Sequence, residues 1–321
     1  MRDRIDGDET GREEGPGDGP ASWPGNAAVN DTASVRPWKT QLLKWVGTKQ
    51  RYAHEIIARF PASFGTYHEP FLGAGGVLGV LAPHRAEAAD SFAPLIGIWT
   101  ALRDRPEELV SWYRDRWEMA EGGAGEGGRA AAYEAIRARF NAGRTPADLI
   151  YLSRASYGGV IRFRRRDGHM STPPGSHRPI HPDKFAARVA AWHVRVQGTR
   201  FHTRDYGESF ARARAGDVVY CDPPYSHSQS ILYGAQGFDI DDLFARIARA
   251  KRRGVFVALS LDGAKKSGGQ VCDHDLPAGL FECEVPVNLG ASMLKRFQME
   301  GRSLEGERVV DRLLLTHRVN R

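Results

Sequence analysis

Cysteine is scarce in this chain of 321 residues: Cys221, Cys272 and Cys283 are the only three, with neither CxxC spacing nor a disulfide framework. That argues against a zinc ribbon or a disulfide-stapled secreted scaffold and fits a reducing cytoplasm. Long apolar runs are lacking as well. None approaches the roughly 20 residues that span a bilayer, and the acidic, Gly/Pro-rich N-terminus does not read as a signal peptide. The 11 histidines show no HExxH or clustered ligand spacing, so no metal site is expected. Lysine is sparse too, 8 residues against 37 arginines, so an arginine cluster alone says little.

What is present is an ordinary globular composition, 41% hydrophobic and 26% charged, with an uneven charge distribution. Residues 1–37 hold eight acids and four arginines, a net of −4. The whole chain is +6, so the remainder carries +10, 41 basic against 31 acidic residues. A basic body implies a polyanionic partner such as nucleic acid. Residues 1–36, almost devoid of large apolar groups, read as a disordered acidic tail, with order beginning near Pro37–Trp38.

Beyond the tail, "KTQLLKWVGTKQRYAHEIIARFP" combines a Trp/Gly/Lys turn with a helix that ends before Pro61. "TYHEPFLGAGGVLGVLA" reads as strand, glycine turn, helix, and "AEAADSFAPLIGIWTALRD" as a short strand ending near Asp90 and then a helix. "EGGAGEGGRAAA", residues 121–132, is a flexible connection. A helix and a basic, Gly/Pro-punctuated aromatic stretch follow it. The α/β rhythm then resumes from "VRVQGTRFHTRDYGE" through "VVYCDPPY" to "VFVALSL" and "ERVVDRLLLTH". Strands alternating with helices on both sides of an irregular basic insertion predict a doubly wound sheet that carries an inserted domain.

Three segments carry chemistry. "EPFLGAGGVL" sets Gly73, Gly75 and Gly76 between a strand and a helix, where the backbone approaches a ligand closely and the helix N-terminus favours an anion. Asp90, 15 residues past Gly75, ends the next strand, where a carboxylate accepts hydrogen bonds from ribose hydroxyls. Together they point to a nucleoside-containing cofactor. In "DPPY", Asp222 accepts a hydrogen bond from an amino group and the Pro223 carbonyl accepts a second from the same nitrogen. Two acceptors draw the lone pair of an exocyclic amine out of conjugation and make it nucleophilic. Pro224 fixes the turn, and Tyr225 offers a flat face to a base swung out of a duplex. Cys221 adjoins this tip but lacks the Pro-Cys context of a cysteine nucleophile, and reads as a buried strand thiol.

With these segments in view, residues 40–317 resemble the Dam-type DNA adenine-N6 methyltransferases. The resemblance rests on "KWVGTK" (Lys44 to Lys49), "EPFLGAGG", Asp90, and the four residues Asp222, Pro223, Pro224 and Tyr225, in that order along the chain. It implies an α/β fold: a Rossmann-like, doubly wound methyltransferase sheet with an inserted, mainly helical target-recognition domain containing a basic hairpin. The catalytic domain would comprise residues 37–105 and 190–321, and the insertion residues 106–189.

The resemblance also implies site residues. Trp45, Lys49, Glu69, Phe71, Gly73, Ala74, Gly75, Asp90 and Asp222 would line an S-adenosylmethionine site, with Asp205 and Tyr206 of "FHTRDYGE" at the cofactor's adenine. "RASYGGVIRFRRRDGHMSTPPG" is similar to the family's DNA-reading hairpin. There Tyr157 would probe the duplex, Arg154, Arg162 and Arg164 would contact phosphates or guanine edges, and Pro173 would complete the DNA-binding set. Gly158 stands where many members have Asn, which bears on sequence preference. Leu261 and Asp262 follow Ser260 where Ser-Asn is common.

The expected activity is site-specific methylation of adenine N6 in double-stranded DNA. A monomer in the cytoplasm, associated with the nucleoid through DNA and with no membrane contact, is the matching expectation. Such enzymes also leave room for a cognate restriction nuclease or a defence-system partner. Cytosine-N4, RNA or protein-amide methylation, and a non-catalytic DNA-binding relative, are the alternatives. Asp222 argues against the first, since that group more often has Ser there. The basic hairpin argues for duplex DNA, and the intact motifs argue against lost catalysis.

Overall fold

The structure is a computed structural model that describes residues 30–33, 35–122, 128–224, 238–262, 275–291 and 308–319. The end of the expected tail belongs to the fold, with the Thr32 N–H bonding the Ala62 carbonyl and Val35 packed against the core. Strand β1 (Asn30–Asp31) pairs antiparallel with β2 (Ser63–Phe64). The Asn30 side chain is buried; its amide donates to the Gly65 carbonyl at 2.6 Å and the Arg85 carbonyl at 3.0 Å, and its oxygen accepts from the His84 N–H at 2.8 Å. Order therefore reaches back past Pro37. One side chain thus ties together backbone groups of two separate segments, and composition gives no hint of it.

Helix α1 (Ala53–Ile57) leads into a seven-stranded sheet. The strands are β3 (Tyr67–Glu69), β4 (Ala86–Asp90), β5 (Thr199–Thr203), β6 (Val218–Cys221), β7 (Phe256–Asp262), β8 (Cys283–Ala291) and β9 (Arg308–Leu315), in the order β5-β4-β3-β6-β7-β9-β8. The first five are mutually parallel, and β9 runs antiparallel to both β7 and β8. Helices α2 (Gly76–Leu81) and α3 (Ala93–Asp104) follow β3 and β4, and α8 (Tyr206–Arg212) and α9 (Ile240–Arg252) flank β6.

Alternation along β6 shows that the sheet is covered on both sides. Val218 and Tyr220 join a core with residues of α1, α2 and α3, whereas Val219 and Cys221 join a second core with Phe210 of α8 and Leu243, Phe244 and Ile247 of α9. A parallel strand sandwiched in this way is apolar at every position, and all four β6 residues are buried. The doubly wound α/β expectation holds. None of the helices described is long and apolar enough to cross a membrane.

Between α3 and β5 lie α4 (Pro106–Glu121), α5 (Gly128–Gly143), α6 (Pro146–Ala155), an irregular hairpin, and α7 (Pro182–Arg195). Of the connection expected at 121–132, residues 123–127 lie outside the described residues, and Gly128 already opens α5. The first core continues into this region through Tyr113, Tyr133, Phe140, Leu149, Phe163 and Phe185. A division at 189/190 falls inside α7, whose Val189 and Trp192 are both buried. Trp192 packs at 5.2 Å from Trp99 of α3 and donates to the Thr40 carbonyl at 2.9 Å. Helix α7 is thus one rod clamped to the sheet's own helices.

Candidate active site

Strand order decides what meets here. The chain runs from β3 outward through β4 to β5, then returns to place β6 on the other side of β3. That reversal opens a crevice at the carboxyl ends of β3 and β6, the place where open α/β sheets take ligands. The glycine turn leaves β3 and the "DPP" segment leaves β6, so motifs some 150 residues apart in sequence share one rim.

The turn after β3 is held by backbone. The Leu72 N–H donates to the Ala89 carbonyl at 2.9 Å and the Gly75 N–H to the Leu72 carbonyl at 2.7 Å. Gly75 has φ +59° and stands at the N-cap of α2; a Cβ there would also touch the Trp99 ring at 3.0 Å. Gly76 is packed against the Trp-Lys segment: a Cβ on it would lie 2.7 Å from the Gln50 nitrogen. Glycine is needed at the first position for its dihedral and at the second for close approach.

A cavity of about 330 Å³ fills the crevice. Of the residues expected to hold a cofactor, Trp45, Lys49, Glu69, Phe71, Gly73, Ala74, Asp90, Asp205, Tyr206 and Asp222 line it, as do Pro223 and Pro224. Gly75 does not; its part is the turn. Tyr225 lies outside the described residues. Phe92, Tyr220 and Phe238 also line the cavity and were not anticipated. Phe92 sits between the strand-end acid Asp90 and the proline of α3, and Phe238 immediately precedes Asp239, the N-cap of α9. Both stand at strand–helix or loop–helix junctions facing the crevice, and that position was the available signal.

The walls are polar at one end and aromatic at the other. Lys49 Nζ lies 2.8 Å and 3.0 Å from the two Asp222 oxygens, with the lysine 5% and the aspartate 18% exposed. Glu69, at the tip of β3, is buried, and one of its oxygens accepts from the Tyr67 hydroxyl at 2.8 Å and the Leu78 N–H at 3.0 Å. Burial pushes its carboxyl up to about 8, against the pull of those two bonds. Asp90 accepts from the Gly73 N–H at 3.1 Å and the Phe92 N–H at 3.0 Å; desolvation nevertheless raises it. Opposite, Phe71 stacks on Tyr206 at 5.2 Å, with Phe238 edge-on to both at 5.9 Å. Asp205 caps α8 by accepting from the Gly207 N–H at 2.7 Å. Cys221 is fully buried, and burial together with Asp222 and Glu69 holds its thiol well above the usual range, so it is an inert strand residue.

The expected DNA-reading residues divide. Arg154 belongs to α6, not to the hairpin, and is 4% exposed. Its guanidinium donates to the Leu42 carbonyl at 2.6 Å and faces the Gln41 carbonyl at 3.4 Å, and burial lowers it to about 10. A side chain enclosed in this way braces the segment before Trp45. Tyr157 is 46% exposed, and Arg162 and Pro173 are also exposed. Arg164 is half-buried and ion-paired with Asp167 at 2.8 Å. The hairpin pairs Phe163 with Met170 and Ser156 with Pro174 without forming continuous strands. Its Phe163 meets Phe92 on the cavity rim edge-on at 5.5 Å.

Comparison with known proteins bears on this arrangement. Residues 45–265 match the family model described as D12 class N6 adenine-specific DNA methyltransferase. The chain is similar to a DNA adenine methylase of Vibrio cholerae serotype O1, 32% identical over 232 residues, covering 68% of this chain and 79% of that one. It is 30% identical over 210 residues to the Retron Ec67 DNA adenine methylase of Escherichia coli, covering 63% and 69%. With the DNA adenine methylase of E. coli strain K12 it shares 31% identity over 189 residues, 57% and 64% of the two chains.

Proposed function

The chain belongs to the D12 class of N6 adenine-specific DNA methyltransferases, and on that premise we propose that its cavity binds S-adenosylmethionine and presents a flipped adenine to it. The activity of the class is site-specific methylation of adenine N6 in DNA. The observation that carries our assignment of residues is the meeting of the β3 and β6 tips in one cavity, which Asp222, Glu69 and Asp90 all line.

The residues present fit that cofactor. A cavity of about 330 Å³ lies at the lower end of the range for small-molecule sites. Gly76 leaves room for no side chain, the half-buried Asp90 carboxyl ends β4 where a ribose would sit, and the Phe71–Tyr206–Phe238 cluster offers flat apolar faces to a purine. When bound, S-adenosylmethionine supplies a methyl group on a positively charged sulfur.

The chain's own part is positioning. Lys49 donates to both Asp222 oxygens, and an ionised carboxylate is an acceptor suited to an adenine amino group. The ion pair fixes the carboxylate's direction. The Pro223 carbonyl serves as second acceptor, and the amine's lone pair is turned into the cavity. Tyr225, by sequence, supplies the stacking face. Positioning of this kind is worth several orders of magnitude in rate without any covalent step.

Asp222→Ala tests the assignment. Methyl transfer is expected to fall by about 100- to 1,000-fold, the scale of a lost transition-state contact, while duplex DNA binding persists in gel-shift titration. Methylation at an undiminished rate would remove Asp222 from the mechanism.

A further inference from the structure

The return limb of the hairpin, residues 168–172, has a helix where a sheet would supply a third strand. On one side it bonds the outgoing limb: the Arg164 N–H donates to the His169 carbonyl and the Ser171 N–H to the Arg162 carbonyl, both at 2.9 Å. On the other side its backbone groups are met by side chains of α5. Asn141 does so twice, accepting from the Met170 N–H at 2.7 Å and donating to the Met170 carbonyl at 3.0 Å, as a neighbouring strand would. Arg137 donates to the Thr172 carbonyl at 3.0 Å, and the Tyr133 hydroxyl donates to the same oxygen at 2.8 Å. Arg144, just past the helix end, donates to the Gly168 carbonyl and covers the Phe163 ring at 4.8 Å.

Residues 133, 137 and 141 repeat at intervals of four, which places them on one face of α5, and Arg144 follows just past its end. The row determines what the outgoing limb shows to solvent. Ile161 and Phe163 are buried and Arg162 between them is exposed. A slip of one residue in a paired segment turns every side chain to the opposite face, so a slipped hairpin would withdraw Arg162 and expose Phe163.

We propose that this face of α5 is the template that sets the hairpin's register, and that Asn141 is a positioning residue for target-site reading. The proposal rests on the reading that the hairpin contacts DNA. Asn141 itself touches neither DNA nor cofactor; it acts through Met170 on the direction of Arg162.

The test uses the full chain and DNA duplexes carrying the site that single-molecule mapping finds methylated by the unaltered protein, with singly substituted duplexes as competitors. Asn141→Ala is expected to lower discrimination about tenfold, the scale of two lost hydrogen bonds, through a raised KM for DNA and with kcat within about threefold. Calorimetric binding of S-adenosylmethionine stays unchanged. Tyr133→Phe keeps the ring packed, removes one brace and is expected to act in the same direction with a smaller effect, so the question remains answerable if Asn141→Ala fails to fold. If both variants keep full discrimination while Arg162→Ala loses it, the template is wrong and the hairpin reading stands. If Arg162→Ala also keeps it, the hairpin reading falls and the template with it. A loss confined to kcat overturns the template as well.

Discussion

The cavity rim and the basic hairpin are both irregular backbone, yet different groups hold them. At the rim, bonds stay within a turn or join neighbouring strand ends: Gly75 bonds Leu72, Leu72 bonds Ala89, and Asp90 accepts from the N–H groups of Gly73 and Phe92. In the hairpin, side chains on and just past α5 add to the bonds between the limbs, with Tyr133, Arg137, Asn141 and Arg144 reaching carbonyls 24 to 39 residues away. The first arrangement ties geometry to short motifs at the ends of two adjacent strands. The second leaves the loop's own sequence free to vary, because the template lies elsewhere. A rim that must present the same atoms to the same cofactor suits the first, and a segment that reads a target suits the second.

The sharpest way to break this contrast is at Lys49. Its ion pair with Asp222 joins two rim segments 173 residues apart, and removing one partner of a largely buried pair strands the other. Lys49→Met is expected to cut single-turnover methyl transfer by at least about 100-fold, consistent with a cost of about 3 kcal/mol for a broken buried pair. DNA site choice should not move, since the hairpin is untouched. A variant that keeps its rate but changes site choice would erase the division between the two regions.

A smaller effect separates the rim by pH. Glu69 has a folded pKa raised from 4.5 to about 8. The folded state therefore binds this proton more tightly than the unfolded one, so its contribution to stability is fully present below about pH 4.5 and is lost as pH rises through about 8. The slope attributable to one such proton is at most about 1.4 kcal/mol per pH unit. Denaturant titrations of Glu69→Gln between pH 5 and 8 should lack this component while retaining acceptors for Tyr67 and Leu78. An identical pH profile in both proteins would mean that Glu69 is already ionised in the native state.

How legible each region was in sequence follows from the same contrast. "EPFLGAGG", Asp90 and "DPP" announce themselves because backbone turns need particular residues at fixed spacing, and ten of the expected cofactor residues line one cavity. The Lys49–Asp222 contact depends on β6 returning beside β3, a fact of strand order that no local window contains. Arg154 opens the basic stretch in sequence but closes a helix in the fold. In fact "ADLIYLSRA" completes a buried helix, and Arg154 lies four residues after Ile150 on it. The α5 template left no trace, since Tyr, Arg, Asn and Arg at helical spacing resemble an ordinary solvated face. Asn30 was hidden for a similar reason, a single anchoring amide at the end of an acidic tail.

The central claim is that the strand tips choose the atom and the hairpin chooses the place. Arg162→Ala tests it most directly, by single-molecule mapping of methylated bases in DNA from cells expressing the variant. The account predicts N6-methyladenine still, at a broadened set of sequence contexts, with the salt dependence of DNA binding reduced by about one unit of log–log slope if the contact is to phosphate. An unchanged set of contexts, or methylation at a different base atom, would contradict it.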